Sequence, residues 1–303
     1  MAILVDSETT VLVQGITGRE ARFLSKESLL YGTRIVAGVT PCKGGSEVSG
    51  IPVYNSVREA KASHRIDASV ISVPPFSARD AALEAIENEI ALLVIITERI
   101  PRRDVSEIVI SARERETRVI GPNSLGIISP GETRLGGVGG DLNNTLKTFQ
   151  KGSVGLISRS GGMTTEIANL LTKNGMGQST CVSVGGDPMI GTGFVELFRL
   201  FQEDSRTQAV ALFCEPGGSM EEEFAQFYSG VKDAKPVVAF IAGRFVDEMP
   251  DTRFGHAAVI VEGDNGSTRK KRKAFRAAGI TTLESLSEFP RALKNALGQE
   301  HSC

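Results

Sequence analysis

The chain has 303 residues, enough for two hydrophobic cores of about 150 residues each. Lys and Arg total 34 against 36 Asp and Glu, a formal net charge of −2, so no basic excess points to nucleic acid or an anionic membrane as the main partner. Cys42, Cys181, Cys214 and Cys303 show no C-x-x-C spacing, which argues against a zinc site or a disulfide framework. Met1 to Asp6 lacks the basic and apolar regions of a signal peptide, no uncharged apolar run is long enough to span a bilayer, and a reducing cytoplasm is the expected location.

Thr10 to Gln14 is a β-branched run that ends in Gly15-Ile16-Thr17-Gly18-Arg19, after which Ala21 to Leu30 has the spacing of a helix. Strand, glycine turn and helix aim backbone N–H groups and a helix N-terminus at an anion, and glycine permits close approach of a phosphate. The same residues also suit a tight structural turn. A second strand, Arg34 to Thr40, runs into Pro41-Cys42-Lys43-Gly44-Gly45, whose lysine could pair with another phosphate. Strand Ala68 to Val73, the turn Pro74-Pro75-Phe76, a helix from Ser77 to Glu89, strand Ala91 to Thr97, a helix from Asp104 to Arg115 and strand Arg118 to Ile120 continue the alternation. Such alternation predicts an α/β fold with a parallel, doubly wound sheet. Against NAD stand a first turn with Gly-x-x-Gly in place of Gly-x-Gly-x-x-Gly and a second strand that ends without the ribose-binding acid. A nucleotide carrying extra phosphate, such as coenzyme A or NADP, fits these residues better.

Gly121 to Gly126 closes a first domain over 1–126, and 127–151, rich in Gly, Asn and Thr, reads as a connection to a second domain over 152–303. Strand Ser153 to Ile157 breaks at Ser158-Arg159-Ser160-Gly161-Gly162, ahead of a helix whose Met163, Ile167, Leu170 and Leu171 keep helical spacing. Ser158, Ser160, Gly161 and Gly162 at a helix start form a nest for a phosphoryl group, although helix capping uses the same residue types. Strand Thr180 to Val184 leads to Gly185-Gly186-Asp187-Pro188 and a helix around Phe194 to Phe201. Strand Ala209 to Phe213 then delivers Glu215 at its carboxyl end, where open α/β sheets collect functional groups, ahead of a helix near Glu221; a solvent-facing loop glutamate is the plainer reading. Strand Pro236 to Ala242 precedes Thr252-Arg253-Phe254-Gly255-His256-Ala257-Ala258, so His256 is expected at the same sheet edge as Glu215. Imidazole is nucleophilic and largely neutral near pH 7, which suits covalent catalysis. The basic run Arg269-Lys270-Lys271-Arg272-Lys273 is expected to be the solvated face of a helix over 267–278 with alanines inward, since no aromatic residues interleave it, and a last helix is expected over 285–297.

Taken in register, Gly15-Ile16-Thr17-Gly18, Gly38 to Gly45, Pro74-Pro75-Phe76, Ile96-Thr97-Glu98, Gly121-Pro122-Asn123, Ser158-Arg159-Ser160-Gly161, Gly185-Gly186-Asp187-Pro188, Glu215 and Gly255-His256-Ala257 resemble the α subunit of succinyl-CoA synthetase. That family belongs to the NDP-forming acyl-CoA ligases, and the resemblance covers nearly the whole chain. It implies a Rossmann-like CoA-binding domain followed by a flavodoxin-like ligase domain, and a reversible conversion of acid, coenzyme A and ATP or GTP into acyl-CoA, NDP and phosphate. By the same resemblance His256 carries the phosphoryl group, Glu215 orients its imidazole, and the turn after Ser158 receives the phosphate. Gly15, Thr17, Gly18, Arg19, Pro41, Lys43, Val73, Pro74, Thr97, Glu98 and Asn123 are then expected to line the coenzyme A site. In that family the ATP-grasp domain, with Mg2+ and nucleotide, lies on a separate β subunit, so an αβ or α2β2 heteromer is implied and no metal site is expected on this chain.

Departures from the family pattern fall near the acyl pocket: Gly162, Thr165 where an aromatic residue is usual, Ser124-Leu125, Pro216, Ala258, and Arg99 in place of glycine. Ser158 to Met163 and Leu142 to Leu146 look like the matching parts of ATP-citrate lyase and citryl-CoA synthetase. Loss of an aromatic side chain enlarges a pocket, so citrate or malate stands beside succinate as the acid. An NADP-type oxidoreductase and a non-catalytic CoA-binding protein are the readings from other classes.

Overall fold

A computed structural model describes residues 3–243, 259 and 266–298. The first half builds one sheet from β1 (Thr10–Gln14), β2 (Arg34–Val39), β3 (Glu47–Val48), β4 (Ile51–Tyr54), β5 (Ala68–Ile71), β6 (Leu92–Ile95) and β7 (Arg118–Ile120). Helices α1 (Arg19–Tyr31), α2 (Val57–Ser63), α3 (Ala78–Glu87) and α4 (Arg102–Glu114) connect them. Strand order is β3-β4-β2-β1-β5-β6-β7, parallel throughout except for β3 against β4. Every position of β1, β5 and β6 is buried, because helices cover both faces of a parallel sheet. Gln14, the polar end of β1, is satisfied inside: its amide donates to the Ala81 carbonyl at 2.8 Å and its oxygen accepts from Ser69 Oγ at 2.9 Å.

The second sheet contains β8 (Gly126–Ser129), β9 (Thr133–Gly136), β10 (Lys151–Ser158), β11 (Gln178–Ser183), β12 (Ala209–Cys214), β13 (Val237–Ile241) and β14 (Thr281–Leu283). Its helices are α5 (Leu142–Thr148), α6 (Gly161–Lys173), α7 (Phe194–Glu203), α8 (Met220–Tyr228), α9 (Thr268–Ala277) and α10 (Phe289–Ala296). The order is β14-β13-β12-β10-β11-β8-β9, with β14 to β11 parallel and β8 and β9 added antiparallel at one edge. In each sheet the chain reverses its direction of travel beside a central strand, β1 in the first and β10 in the second. Ligands of such sheets bind at the carboxyl ends of these strands, which is where both glycine turns lie.

The segment 127–151, expected as a bare connection, forms β8, β9 and α5 and so completes the second sheet. Its strands have only four residues each, and their buried positions include Ser129, Thr133 and Arg134, so apolar alternation is missing. The basic run also departs from expectation. Lys271 and Arg272 of α9 are buried together with Thr268 and Phe275, while Ala277 is exposed. Their charges are met internally, by carboxylates of α8 and by the carbonyls of Ile241 and Leu283.

The two sheets share a continuous apolar cluster, in which Val13, Val70 and Ile96 of the first half belong with Ile127, Leu135 and Ile157 of the second. This packing brings the first turn and the second turn toward one another. Edge-to-face contacts of Phe224 with Phe198 at 5.5 Å and with Phe275 at 6.2 Å join α7, α8 and α9. Among the described residues no helix is long and apolar enough to cross a membrane.

Candidate functional site

The first turn is built by backbone constraints. Gly15 adopts φ +83°, and a Cβ there would lie 2.3 Å from the Ser72 carbonyl oxygen, so only glycine lets β1 and β5 approach at this point. Gly15 N–H donates to the Val39 carbonyl and Gly18 N–H to the Gly15 carbonyl, which closes the turn just before α1. Gly18 caps that helix without a side chain, leaving the N-terminus open to an anion. Thr17 Oγ1 donates to Thr40 Oγ1 at 3.2 Å and thereby links this turn to the loop holding Pro41 and Lys43.

The second turn follows the same plan at β10 and α6. Ser158 is fully buried; its hydroxyl donates to the Ser160 carbonyl at 2.7 Å and accepts from Ser160 N–H at 3.1 Å, so it shapes the turn and its one proton is spent there. Ser160 caps α6, accepting from Met163 N–H at 3.4 Å. Gly161 packs on Leu125, where a Cβ would come within 2.3 Å of Cγ, whereas a Cβ on Gly162 would meet nothing within 4 Å.

A cavity of about 670 Å³ joins the two turns. Gly18, Arg19, Val73, Pro74, Thr97, Glu98 and Asn123 line it from the first half, and Ser160, Gly161 and Gly162 from the second. Thr97 Oγ1 donates to the Val73 carbonyl at 2.8 Å and fixes that wall. Asn123, at φ +54°, donates its amide to Asp187 Oδ1 at 3.0 Å and so reaches the Gly185-Gly186-Asp187-Pro188 loop. Gly15 and Thr17 belong to the same turn but do not line the cavity, and Pro41 and Lys43 lie on an exposed loop at the same sheet edge, also outside its wall. Sequence reasoning gave no site role to Arg99, which lines the cavity at φ +59°; the departure from glycine was the available signal.

Glu215 sits directly after β12, with 9% of its surface exposed, and is therefore no solvent-facing loop residue. Its neighbour Cys214 is fully buried; burial, reinforced by the Glu221 charge, pushes that thiol well above its ordinary range, so it is inert beside the acid. Arg159 was quoted in the turn motif but given no role from sequence. It is 3% exposed, and its Nη1 donates to the carbonyls of Glu215 at 3.4 Å and Gly217 at 3.3 Å. The glycine-histidine stretch with His256 lies outside the described residues.

Residues 6–99 match the family model for a CoA binding domain and residues 157–281 that for a CoA-ligase. With a cavity shared by both halves, this defines the class as an NDP-forming acid–CoA ligase. The chain is 46% identical to subunit alpha 1 of the ADP-forming succinate–CoA ligase of Archaeoglobus fulgidus, over 98% of this chain and 99% of the relative. It is 45% identical to the alpha subunit from Methanothermobacter thermautotrophicus, over 98% of this chain and 97% of the relative, and 42% identical to that from Staphylococcus epidermidis, over 98% and 95%. The chain belongs to the family of succinate–CoA ligase α subunits. Its fold is also that of a Methanosaeta concilii ATP citrate lyase mutant solved with (3S)-citryl-CoA, at TM-score 0.91 and 24% identity; the match covers 99% of this chain and 51% of that chain.

Proposed function

We propose that this chain joins coenzyme A to a small carboxylic acid through a phosphoryl group carried on His256, together with a β subunit. The observation that carries this reading is the single cavity walled by Gly18, Arg19, Thr97 and Asn123 on one side and by Ser160, Gly161 and Gly162 on the other. Coenzyme A on the first turn thus presents its thiol toward a phosphate held at the second. Gly15, Thr17, Gly18 and Arg19 form its phosphate turn, Pro41 and Lys43 a flanking basic loop, and Val73, Pro74, Thr97, Glu98 and Asn123 the wall. His256, oriented by Glu215, would deliver the phosphoryl group to the start of α6. There the free N–H groups and the helix dipole neutralise it. The acid's carboxylate oxygen attacks phosphorus, the P–N bond to imidazole breaks, and an acyl phosphate forms. The thiol, as thiolate, then attacks the acyl carbon and phosphate leaves. In these steps the protein contributes positioning and charge neutralisation.

The nucleotide and Mg2+ belong, on this reading, to an ATP-grasp domain of the β subunit in an αβ or α2β2 assembly. Among the described residues of this chain no group of three or more His, Cys, Asp and Glu side chains could hold a metal. Free Cys42, Cys181 and Cys214 accord with a cytoplasmic location. Succinate is the reference acid; the open space at Gly162, on the cavity wall, leaves room for malate or citrate. The test mixes this chain with its β subunit, Mg2+, ATP or GTP, coenzyme A and each acid in turn, and follows NDP release. Release that requires both acid and coenzyme A is expected. Coenzyme A binding with no release on any acid would identify a non-catalytic CoA-binding protein instead.

A further inference from the structure

We infer that the buried pair Lys271–Glu221 positions the Glu215 loop against the phosphate-receiving turn, with Arg159 as the connecting cation. Lys271 of α9 and Glu221 of α8 are both fully buried, and Nζ donates to Glu221 Oε2 at 2.6 Å, to Glu222 Oε2 at 2.9 Å and to the Gly218 carbonyl at 2.9 Å. The other oxygen of Glu221, Oε1, accepts from Arg159 Nη1 at 3.4 Å. That same Nη1 lies 3.4 Å from the Glu215 carbonyl and 3.3 Å from that of Gly217. Arg159 stands between Ser158 and Ser160 in the second turn, so a continuous polar path runs from α9 through α8 to both halves of the proposed phosphoryl-transfer site.

The geometry suits positioning more than stability. Two buried cations facing two carboxylates gain little net stability over an apolar core, because their desolvation offsets their attraction, and such pairs are better explained by the arrangement they specify. Here the arrangement concerns main-chain carbonyls. Those of residues 215, 217 and 218 all turn toward Arg159 or Lys271, and Gly217 and Gly218 take successive left-handed conformations, φ +87° and +64°, that direct them. Arg159 is held at nearly equal, long distances from three acceptors. A cation centred in this way moves when any one of them changes charge, and Glu221 is the only carboxylate among the three. Neutralising Glu221 therefore shifts Arg159 toward the carbonyls and alters the separation between the Glu215 loop and the turn at Ser160.

This inference rests on the ligase reading above. The test uses the complex with the β subunit and compares Glu221→Gln, Lys271→Met, Lys271→Arg and the double variant Glu221→Gln plus Lys271→Met. Expected for Glu221→Gln is a fall of at least tenfold in the single-turnover rate of phosphoryl transfer from ATP to this chain, and in kcat. KM for the acid and Kd for coenzyme A should stay within about twofold. Lys271→Arg should recover most of the rate that Lys271→Met loses. The double variant removes both charges of the Lys271–Glu221 pair together and leaves Arg159 with its two carbonyl acceptors, so a thermal melt of each variant is the control against misfolding; the folded double variant should still transfer slowly. A folded double variant with the wild-type rate overturns the inference, as does a rate that falls only with the folded fraction. Absence of transfer in the wild-type complex would instead remove the ligase reading itself.

Discussion

Gly15→Ala isolates the first turn. The new methyl would sit 2.3 Å from the Ser72 carbonyl oxygen and 2.8 Å from Val73 Cγ1, at a residue whose φ is +83°. A left-handed conformation costs a non-glycine residue roughly 1–2 kcal/mol. Overpacking adds about 1–3 kcal/mol, and here the obstacle is backbone at the end of β5 and cannot rotate aside. The sum, about 2–5 kcal/mol, matches or outweighs what one charge-assisted phosphate contact returns, about 1.5–3 kcal/mol, so the turn opens and such contacts are lost. Calorimetric titration with coenzyme A should show Kd weakened by at least about tenfold, the equivalent of 1.4 kcal/mol, and a thermal scan should show Tm lower by several degrees. Native affinity together with a native Tm would refute the steric reasoning and remove this turn from the coenzyme A site.

Other outcomes follow from the same geometry. Gly161→Ala should lower stability by about 1–3 kcal/mol in denaturant titrations, because its Cβ would overlap Leu125, whereas Gly162→Ala should change it by less than about 0.5 kcal/mol. Exposed Cys42 should be alkylated in the native protein and shielded at least tenfold by saturating coenzyme A, with Cys181 and Cys214 labelled only on unfolding; peptide mass spectrometry reads all three, and undiminished Cys42 labelling would place the ligand elsewhere. Burial alone would raise the Asp67 carboxyl, but hydrogen bonds from Thr10 N–H and Oγ1 and from Arg65 outweigh it and hold the group below its ordinary range. A depressed carboxylate stabilises the fold above its unfolded pKa, about 3.9, and that contribution fades as pH falls through the folded value. Asp67→Asn should therefore cost about 1 kcal/mol at neutral pH and progressively less in acid, and a pH-independent difference would contradict the assignment.

Legibility in the sequence tracked how locally each residue's partners lie. β1, β5 and β6 are buried on both faces and read as apolar runs, and Gly15 announced a turn because its backbone geometry demands glycine. β8 has only four residues, too few to show a period, and β9 carries Arg134 at a buried strand position, its Nη1 donating to the Val138 and Gly140 carbonyls and Thr145 Oγ1, which no periodicity encodes. Lys271 was assigned to water for the same reason: its carboxylate partners on α8 become neighbours only when α8 and α9 pack. Motifs named the candidate residues Gly18, Arg19, Thr97, Asn123, Ser160 and Gly161, but their meeting in one cavity is a property of how the two sheets pack, and only that packing brings Arg99 to its wall and Arg159 beside Glu215.

Incubating the complex with γ-labelled ATP and Mg2+ and locating the label tests phosphoryl transfer through His256 most directly. A phosphoryl group on this chain that is stable to alkali, labile to acid, discharged by acid substrate plus coenzyme A, and absent from His256→Asn is the expected result. Label that persists in His256→Asn, or that is never discharged by those substrates, would contradict it.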